Sequence, residues 1–345
     1  MDIKKAVNVV LNGHDLQVNE MREVMMQIMS GKATDAQIGG FLVGLRIKGE
    51  TVDEIIGAAQ VMRELSIPLN ISSENLVDIV GTGGDSAGIF NVSTASIFVA
   101  AAAGANIAKH GNRGVSSKSG SADLLEYAGV NLDLSVQQIA LCVKEVGVGF
   151  MFAINHHAAM KHAVGPRKEL GVRTIFNLLG PLTNPANVPN VVLGVYDKKW
   201  LRPIAEVMKE LGGKHVFVVH SEDGLDEISI SSNTWVAELK NNRISEYTIS
   251  PENFGMKKGD LKELKVANSK ESLEIIKSAL SKQHVFSSKI EAASDMIALN
   301  AGAALYVSGI AENLEEGVIL AQDSIGSGLA KEKISELASF THCFN

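Results

Sequence analysis

Apolar residues recur at helical spacing through the first seventy positions, and nowhere there do they alternate as in a strand. Thr34-Asp35-Ala36-Gln37 has capping-box spacing, and Ile38, Phe41, Leu42 and Leu45 follow at i, i+3, i+4 and i+7. Thr51-Val52-Asp53-Glu54 repeats the signal ahead of Ile55, Ile56, Ala59 and Met62, and Pro68 stops that helix. Val24, Met25, Ile28, Met29 and Phe41 place apolar positions on more than one helix face. That pattern calls for two partners, and part of this surface is expected to form a two-fold interface.

The pattern changes at Leu76. Short apolar runs at 76–80, 106–108, 148–153, 191–196 and 215–219 read as buried strands. Helices are expected between them at 91–103, 121–129 and 200–211, with another capped by Ser135-Val136-Gln137-Gln138. The last sixty residues read as helical, over 295–308, 314–321 and 329–339. Strands buried on both faces and alternating with helices mean a parallel-rich sheet. The expected fold is α/β: a small helical N-terminal domain over 1–72 and a large α/β domain over 73–345, its mainly parallel central sheet covered by helices. The stretch 160–188 is Arg-rich, punctuated by Gly and Pro, and without a strand; part of it is expected to rejoin the helical domain.

Composition agrees with a sizeable core: 46% of the 345 residues are apolar and 21% charged, which excludes a disordered chain. The 32 glycines have no three-residue period, so collagen is excluded. A net charge of −7 argues against non-specific nucleic-acid binding. Cys142 and Cys343 form neither a disulfide framework nor a metal knuckle, and are expected to be free thiols in a reducing compartment. Asn8 breaks the short apolar run 6–11, so no signal peptide is expected. The uncharged stretch 86–108 is long enough for a bilayer, but it is Ala-rich and interrupted by Gly, Asn, Ser and Thr. A buried helix in a cytoplasmic protein, with no membrane contact, is the expectation.

The densest chemistry lies where a predicted strand meets a predicted helix. Gly81-Thr82-Gly83-Gly84-Asp85-Ser86 lets backbone N–H groups approach a ligand and form an anion-binding concavity. Asn91-Val92-Ser93-Thr94 adds hydroxyls and the positive end of a helix. Together they suit phosphate; the alternative is a Gly-rich turn with an ordinary cap. A dinucleotide fingerprint fits poorly, because Ser86 holds the third small position and no acid lies within 100–106. A Walker loop fails for want of Gly-Lys-Ser/Thr. Asp85 is unfavourable in an anion loop unless it meets a ribose hydroxyl or a cation.

Lys109-His110-Gly111-Asn112-Arg113-Gly114-Val115-Ser116-Ser117-Lys118 holds three cations, a histidine and two hydroxyls with no acid. Such a reversal of local charge fits a multiply charged phosphate; the alternative is a solvated basic loop. Ser119-Gly120-Ser121-Ala122-Asp123 then opens another helix. Asp223-Gly224-Leu225-Asp226-Glu227 crowds carboxylates at a strand end, where Mg²⁺ would hold them, unless the turn simply faces water. His156, His157, His162, Lys161 and Arg167 form a fourth cluster, for which surface charge or structural histidines are the alternative. The run from Arg173 to Pro185 ends in a rigid turn that could wall an apolar ring. Neither a Gly-x-Ser-x-Gly elbow nor a His-Glu-x-x-His helix is present. Phosphate cradles with paired carboxylates suit a reaction in which diphosphate leaves, driven by charge stabilisation rather than covalent catalysis.

Taken in order, these motifs resemble the anthranilate phosphoribosyltransferase family. The elements are Gly81-Thr82-Gly83-Gly84-Asp85, Asn91-Val92-Ser93-Thr94, Lys109-His110-Gly111-Asn112-Arg113, Ser119-Gly120-Ser121-Ala122-Asp123, Arg173-Thr174-Ile175-Phe176-Asn177 with Gly180-Pro181-Leu182-Thr183-Asn184-Pro185, and Asp226-Glu227. They run across nearly the whole chain. The resemblance implies a helical plus α/β fold shared with pyrimidine nucleoside phosphorylases, a phosphoribosyl-binding large domain and a homodimer. The implied reaction joins anthranilate to 5-phosphoribosyl-1-diphosphate (PRPP) with release of diphosphate, using Mg²⁺. By the same resemblance PRPP is bound by Gly81, Gly84, Asp85, Asn91, Val92, Ser93, Thr94, Lys109, His110, Gly111, Asn112, Arg113, Gly114, Val115, Ser116, Ser117 and Ser121. Ser93, Asp226 and Glu227 would hold the metal, and Gly81, His110, Asn112, Arg167 and Pro181 would hold anthranilate. No nucleophile or base is implied; Lys109, Asp226 and Glu227 would act electrostatically. One departure is Ile89, where the family often has Thr.

The chemistry agrees. The aniline nitrogen is uncharged near neutral pH and needs no strong base before it attacks C1 of the ribose; the proton leaves afterwards. Two rival readings remain at this point. A nucleoside phosphorylase would not need a carboxylate clamp at Asn112 and Arg167. A nucleic-acid binder would want a basic face and no Asp226-Glu227 pair.

Overall fold

The computed structural model describes residues 1–85, 87–114, 119–281 and 287–344. Helices α1 (Ile3–Leu11), α2 (Val18–Met29), α3 (Asp35–Lys48) and α4 (Val52–Glu64) come first. Both predicted capping boxes are formed, Thr34 with Gln37 and Thr51 with Glu54. The second goes beyond a cap: the fully buried Glu54 also accepts the Leu16 N–H at 3.0 Å and pairs with Lys48 at 3.1 Å. That bond closes α4 onto the turn between α1 and α2.

The chain continues through β1 (Leu76–Gly81), α5 (Val92–Ala102), β2 (Asn106–Gly111), α6 (Ser121–Tyr127), α7 (Val136–Val146), β3 (Val148–Phe152) and the short α8 (Ala153–His156). Next come α9 (Lys161–Leu170), α10 (Phe176–Leu182), β4 (Asn190–Gly194), α11 (Leu201–Glu210) and β5 (His215–Ser221). Strands β6 (Thr234–Lys240) and β7 (Arg243–Ile249) precede the helices α12 (Ser269–Ala279), α13 (Ser288–Val307), α14 (Leu314–Ser327) and α15 (Leu329–Thr341). The seven strands form one sheet in the order β3-β2-β1-β4-β5-β6-β7. The first five are parallel; β6 and β7 add an antiparallel edge. The expected α/β class with a mainly parallel sheet is what the chain forms. The β6–β7 hairpin is an addition to the sequence reading. It turns on Asn241 and Asn242, both with φ in the left-handed region at 52° and 63°, which matches the turn favoured by a two-residue hairpin.

Alternation along the strands explains their unbroken apolar runs. Val192, Phe217 and Val219 pack with α5 and α13, whereas Val191, Leu193, Val216 and Val218 pack with α11 and the N-terminal helices. Val24, Met25, Ile28, Met29 and Phe41 belong to that second core and are buried within the chain. These five residues therefore cannot supply the part of this surface expected to form a two-fold interface: their second partner is α9, α10 and the sheet of the same chain. Residues Ala163, Phe176, Leu178 and Leu179 of α9 and α10 lie in this core too. Backbone bonds secure the joint. Arg63 donates to the carbonyls of Leu182 at 2.6 Å and Leu211 at 3.0 Å, and Leu69 N–H donates to the Pro185 carbonyl at 3.1 Å. The uncharged stretch 86–108 contains the buried α5, and among the described residues no helix is long and apolar enough to cross a membrane.

On the other face, Asn300 of α13 clamps the turn that follows β5. Its side chain accepts the Ile228 N–H at 3.0 Å and donates to the Ile228 carbonyl at 2.8 Å. Asn300→Ala leaves both buried groups unpaired, so stability should fall by about 1–3 kcal/mol. Urea unfolding at constant m-value measures this, and a midpoint equal to that of the parent chain would contradict it.

Candidate active site

The chain runs from β1 to β2 and β3 on one side, then returns to β4 and β5 on the other, so the strand order reverses beside β1. The crevice outside the carboxyl ends at such a point is where open α/β sheets bind ligands. Gly81 and Gly194 are in register there as the last residues of β1 and β4. A Cβ on Gly81 would overlap the Asp226 carboxylate, and one on Gly194 would overlap the Asp226 backbone. These two glycines seat Asp226 over the strand ends, where it accepts the Gly83 N–H at 2.6 Å. Glu227 accepts the Ser93 N–H at 3.2 Å and so occupies the N-terminal end of α5. Asp226 is buried and Glu227 half-buried, so neither lies in a turn open to water.

Packing acids this closely has an electrostatic consequence. Burial, with Asp85 beside it, pushes Asp226 up to about 7. Burial and its neighbour Asp226 push Glu227 up to about 8. Asp85 also accepts the Ala87 N–H at 3.1 Å, which ties its loop. Lys109 at the end of β2 is only 2% exposed and donates to the Ile79 carbonyl. Burial pulls its pKa down, against the raising influence of Asp78 and Glu227. No group of three or more His, Cys, Asp or Glu forms a metal cage among the described residues. Two carboxylates and Ser93, whose backbone N–H meets Glu227, make a partial set of hard donors. That composition fits Mg²⁺, which completes its shell with water and phosphate oxygens.

The remaining phosphate-side residues surround this centre with differing commitments. Asn91 has its amide engaged: it donates to the Ser119 carbonyl at 3.0 Å and accepts from the Ser119 and Ser272 hydroxyls at 2.9 Å each. Val92 and Thr94 are buried in the first turn of α5, and the Thr94 hydroxyl has no partner among the described residues. Gly111 ends β2, and Ser121 starts α6 with its hydroxyl 3.4 Å from the Asn112 carbonyl. Arg113 is turned to the surface, paired with Glu126 at 2.7 Å and Asp123 at 3.2 Å, while Gly114 N–H donates to Asp123 at 2.8 Å. Val115, Ser116 and Ser117 lie outside the described residues. Ile89 is bridged to Lys265, flanked by Phe90 N–H to Leu264 and Val266 N–H to Gly88. Its position is thus fastened by backbone and packing, without a hydroxyl.

A second group lies on the other face of β2. His110 is buried against His157, ring centroids 5.1 Å apart, near the turn that holds the buried Pro181. Arg167 of α9 stacks on the Phe176 ring, 5.0 Å from its centroid, with no carboxylate partner among the described residues. Burial draws its pKa down. Asn112 accepts the Arg113 N–H at 2.8 Å and so fixes its own loop. The sequence reading did not single out Arg173 as a site residue. Its guanidinium donates to the Gly84 carbonyl and lies 4.4 Å from the Tyr196 ring centroid, which clamps the glycine loop. Nor did it select Asn300 under the Asp226–Ile228 turn. A lone Asn in a long apolar helix was the available signal.

Residues 73–331 match the family described as "Glycosyl transferase family, a/b domain", and residues 4–66 match "Glycosyl transferase family, helical bundle domain". The chain is 62% identical over 344 residues to the anthranilate phosphoribosyltransferase of Marinomonas sp. (strain MWYL1), covering 100% of this chain and 98% of that one. Among solved structures it superposes on anthranilate phosphoribosyltransferase from Thermus thermophilus with a TM-score of 0.91 at 40% identity, covering 98% and 99% of the two chains. The Saccharomyces cerevisiae enzyme in complex with PRPP and Mg gives a TM-score of 0.89 at 26% identity, covering 99% and 98%. With this identity sustained over the whole length, the chain belongs to the anthranilate phosphoribosyltransferase family.

Proposed function

We propose that this site transfers the 5-phosphoribosyl group of PRPP to the amine of anthranilate, giving N-(5-phosphoribosyl)anthranilate and diphosphate, a step of tryptophan biosynthesis. The observation that carries the reading is the adjacent acids, buried Asp226 and half-buried Glu227, set against a glycine loop where the strand order reverses. Asp226, Glu227 and Ser93 would hold Mg²⁺. That ion, when bound, neutralises charge on the leaving diphosphate. The chain's own residues do the rest. Backbone N–H groups of the 81–85 loop and the start of α5 orient phosphate, and Lys109 places a buried positive charge beside them. Gly81, Asp85, Asn112 and Ser121 line the passage between the two substrates.

For the acceptor, an unpaired and partly desolvated guanidinium is a receptor for a planar carboxylate. Arg167 takes that role, with Asn112, His110 and Pro181 around the ring. This separates the reading from a nucleoside phosphorylase, whose neutral base brings no carboxylate. The domain boundary is placed at 72/73, with part of 160–188 counted with the helices; α9 and α10 in the helical core support this. The reading also includes a cytoplasmic homodimer. Its apolar candidates are Leu11, 63% exposed, and Ile47, 80% exposed, at the ends of α1 and α3. Incubation with PRPP, Mg²⁺ and anthranilate, following loss of anthranilate fluorescence, tests the activity directly; unchanged fluorescence would reject it.

Arg167→Ala should raise KM for anthranilate about ten- to a hundred-fold, the loss of roughly 1.5–3 kcal/mol from a charge-assisted pair, with little change in KM for PRPP. Saturation curves for each substrate decide this, and a collapse of PRPP binding instead would move Arg167 to the phosphate side. The acids give a pH signature. In the metal-free protein Asp226 and Glu227 keep protons up to about 7 and about 8 that an unfolded chain loses near pH 4. Their contribution to stability therefore falls as pH rises from about 5 to 8. Asp226→Asn with Glu227→Gln should flatten that slope in thermal melts. The same double variant should lose turnover by orders of magnitude at limiting Mg²⁺; near-normal turnover would place the metal elsewhere.

A further inference from the structure

The glycine loop after β1 carries two consecutive N–H groups, those of Gly84 and Asp85, with no partner among the described residues. The N–H before them, on Gly83, is spent on Asp226. Each of the two belongs to a trans peptide whose carbonyl points the opposite way: the Gly84 N–H is paired with the Gly83 carbonyl, and the Asp85 N–H with the Gly84 carbonyl. Both carbonyls are held by side chains. The Thr82 hydroxyl donates to the Gly83 carbonyl at 3.4 Å, and the Arg173 guanidinium donates to the Gly84 carbonyl. The holders are themselves fixed. Thr82 accepts the Tyr196 N–H at 3.0 Å, the Arg173 guanidinium lies 4.4 Å from the Tyr196 ring centroid, and the Arg173 carbonyl accepts from Arg46 of α3.

We propose that Arg173, assisted by Thr82, is a positioning residue for the phosphates of PRPP: by pinning the two carbonyls it keeps the Gly84 and Asp85 N–H groups turned toward the anion. The inference rests on the function proposed above. Gly83 and Gly84 have φ of 65° and 81°, in the left-handed region that glycine enters freely. A loop with that freedom can rotate its peptide units. Rotation of either unit exchanges an N–H donor for a carbonyl oxygen, which repels phosphate. Consecutive N–H groups form an anion-binding concavity only while both carbonyls stay on the outside. The glycines therefore supply a conformation, and Arg173 and Thr82 select it.

Arg173 acts through the peptide rather than on the substrate. Its guanidinium packs directly on the loop: a Cβ on Gly84 would come within 3.3 Å of its Nε. One face is taken by Tyr196 and one N–H by the Gly84 carbonyl. A planar fork that stacks and donates at once is a task for arginine, not for the point charge of a lysine. Without the pin, only a fraction of the loops would present both donors. Apparent affinity for PRPP falls by that fraction, whereas a loop that has bound PRPP reacts as before. The defect belongs in KM for PRPP and not in kcat.

The test compares the parent chain with Arg173→Met and Thr82→Val in the fluorescence assay, varying PRPP and anthranilate separately at fixed Mg²⁺. Arg173→Met should raise KM for PRPP about ten- to a hundred-fold, the size of one lost charge-assisted hydrogen bond, with kcat at saturating PRPP and KM for anthranilate little changed. Calorimetric titration with PRPP and Mg²⁺, without anthranilate, should show the same loss in Kd. Thr82→Val removes no charge and should shift KM for PRPP in the same direction, again with kcat retained. An unchanged KM for PRPP in Arg173→Met overturns the inference. So does a fall in kcat without a change in KM, which would mark direct contact in the transition state, or a rise confined to KM for anthranilate, which would make Arg173 an acceptor ligand. A normal KM in folded Thr82→Val, beside a raised one in Arg173→Met, would leave only the charge of Arg173 and overturn the pinning. Arg173 is exposed, so its variant should fold; should Thr82→Val fail to fold, Arg173→Met decides by its split between KM and kcat. If the parent chain leaves anthranilate unconsumed, the proposed function fails; if parent and variants turn over alike, only this inference fails.

Discussion

The site depends on keeping three carboxyl groups, Asp85, Asp226 and Glu227, close together and largely out of water. Burial and mutual repulsion raise the free energy of the charged forms of Asp226 and Glu227, and no other constraint here is as demanding. Most of the surrounding structure can be read as the means of holding them. Gly81 and Gly194 remove the two Cβ atoms that would exclude Asp226. The Gly83 and Ser93 N–H groups supply hydrogen bonds to the two acids after β5. Asn300 fixes the turn from beneath, and Lys109 brings a buried countercharge. A protein that only had to be stable would replace such a cluster with apolar side chains.

The polarity of the fold adds to this. Parallel strands bring β1, β2, β4 and β5 to one edge with the same sense, so the loops after them converge without long connections. The helical segment supplies the opposite wall. Because α9 and α10 share a core with the N-terminal helices, Arg167 and Pro181 are carried by that side rather than by the sheet. On the proposed reading the two substrates meet between the strand ends and this helical wall, which shares one core with the sheet. Substitutions on one side should perturb one substrate more than the other.

Much of this was legible before any coordinates. The glycine loop, the start of α5, the end of β2 and the acidic pair were each visible because they break the local hydrophobic pattern at a strand end. What the pattern could not reveal was commitment. Arg113 reads as a phosphate ligand by its neighbours in the chain, and that reading says nothing of its ion pairs with Asp123 and Glu126, ten and thirteen residues on. Val24, Met25, Ile28, Met29 and Phe41 read as an interface because amphipathic periodicity counts buried faces without saying what buries them. The β6–β7 hairpin escaped because β7 is mostly exposed and its Arg, Ser and Glu hide a strand in polar sequence.

Asn91 leads to a different kind of conclusion. One amide joins the start of α5 to Ser119 and to Ser272 of α12, with every bond made to the protein itself. A ligand that claims this side chain must exchange those bonds rather than displace loose water. For this one side chain the net enthalpy of meeting a ligand is the small difference between two sets of similar hydrogen bonds. Three segments distant in sequence, the start of α5, the residues before α6 and α12, are therefore joined at a single side chain, and any exchange at Asn91 would be felt by all three.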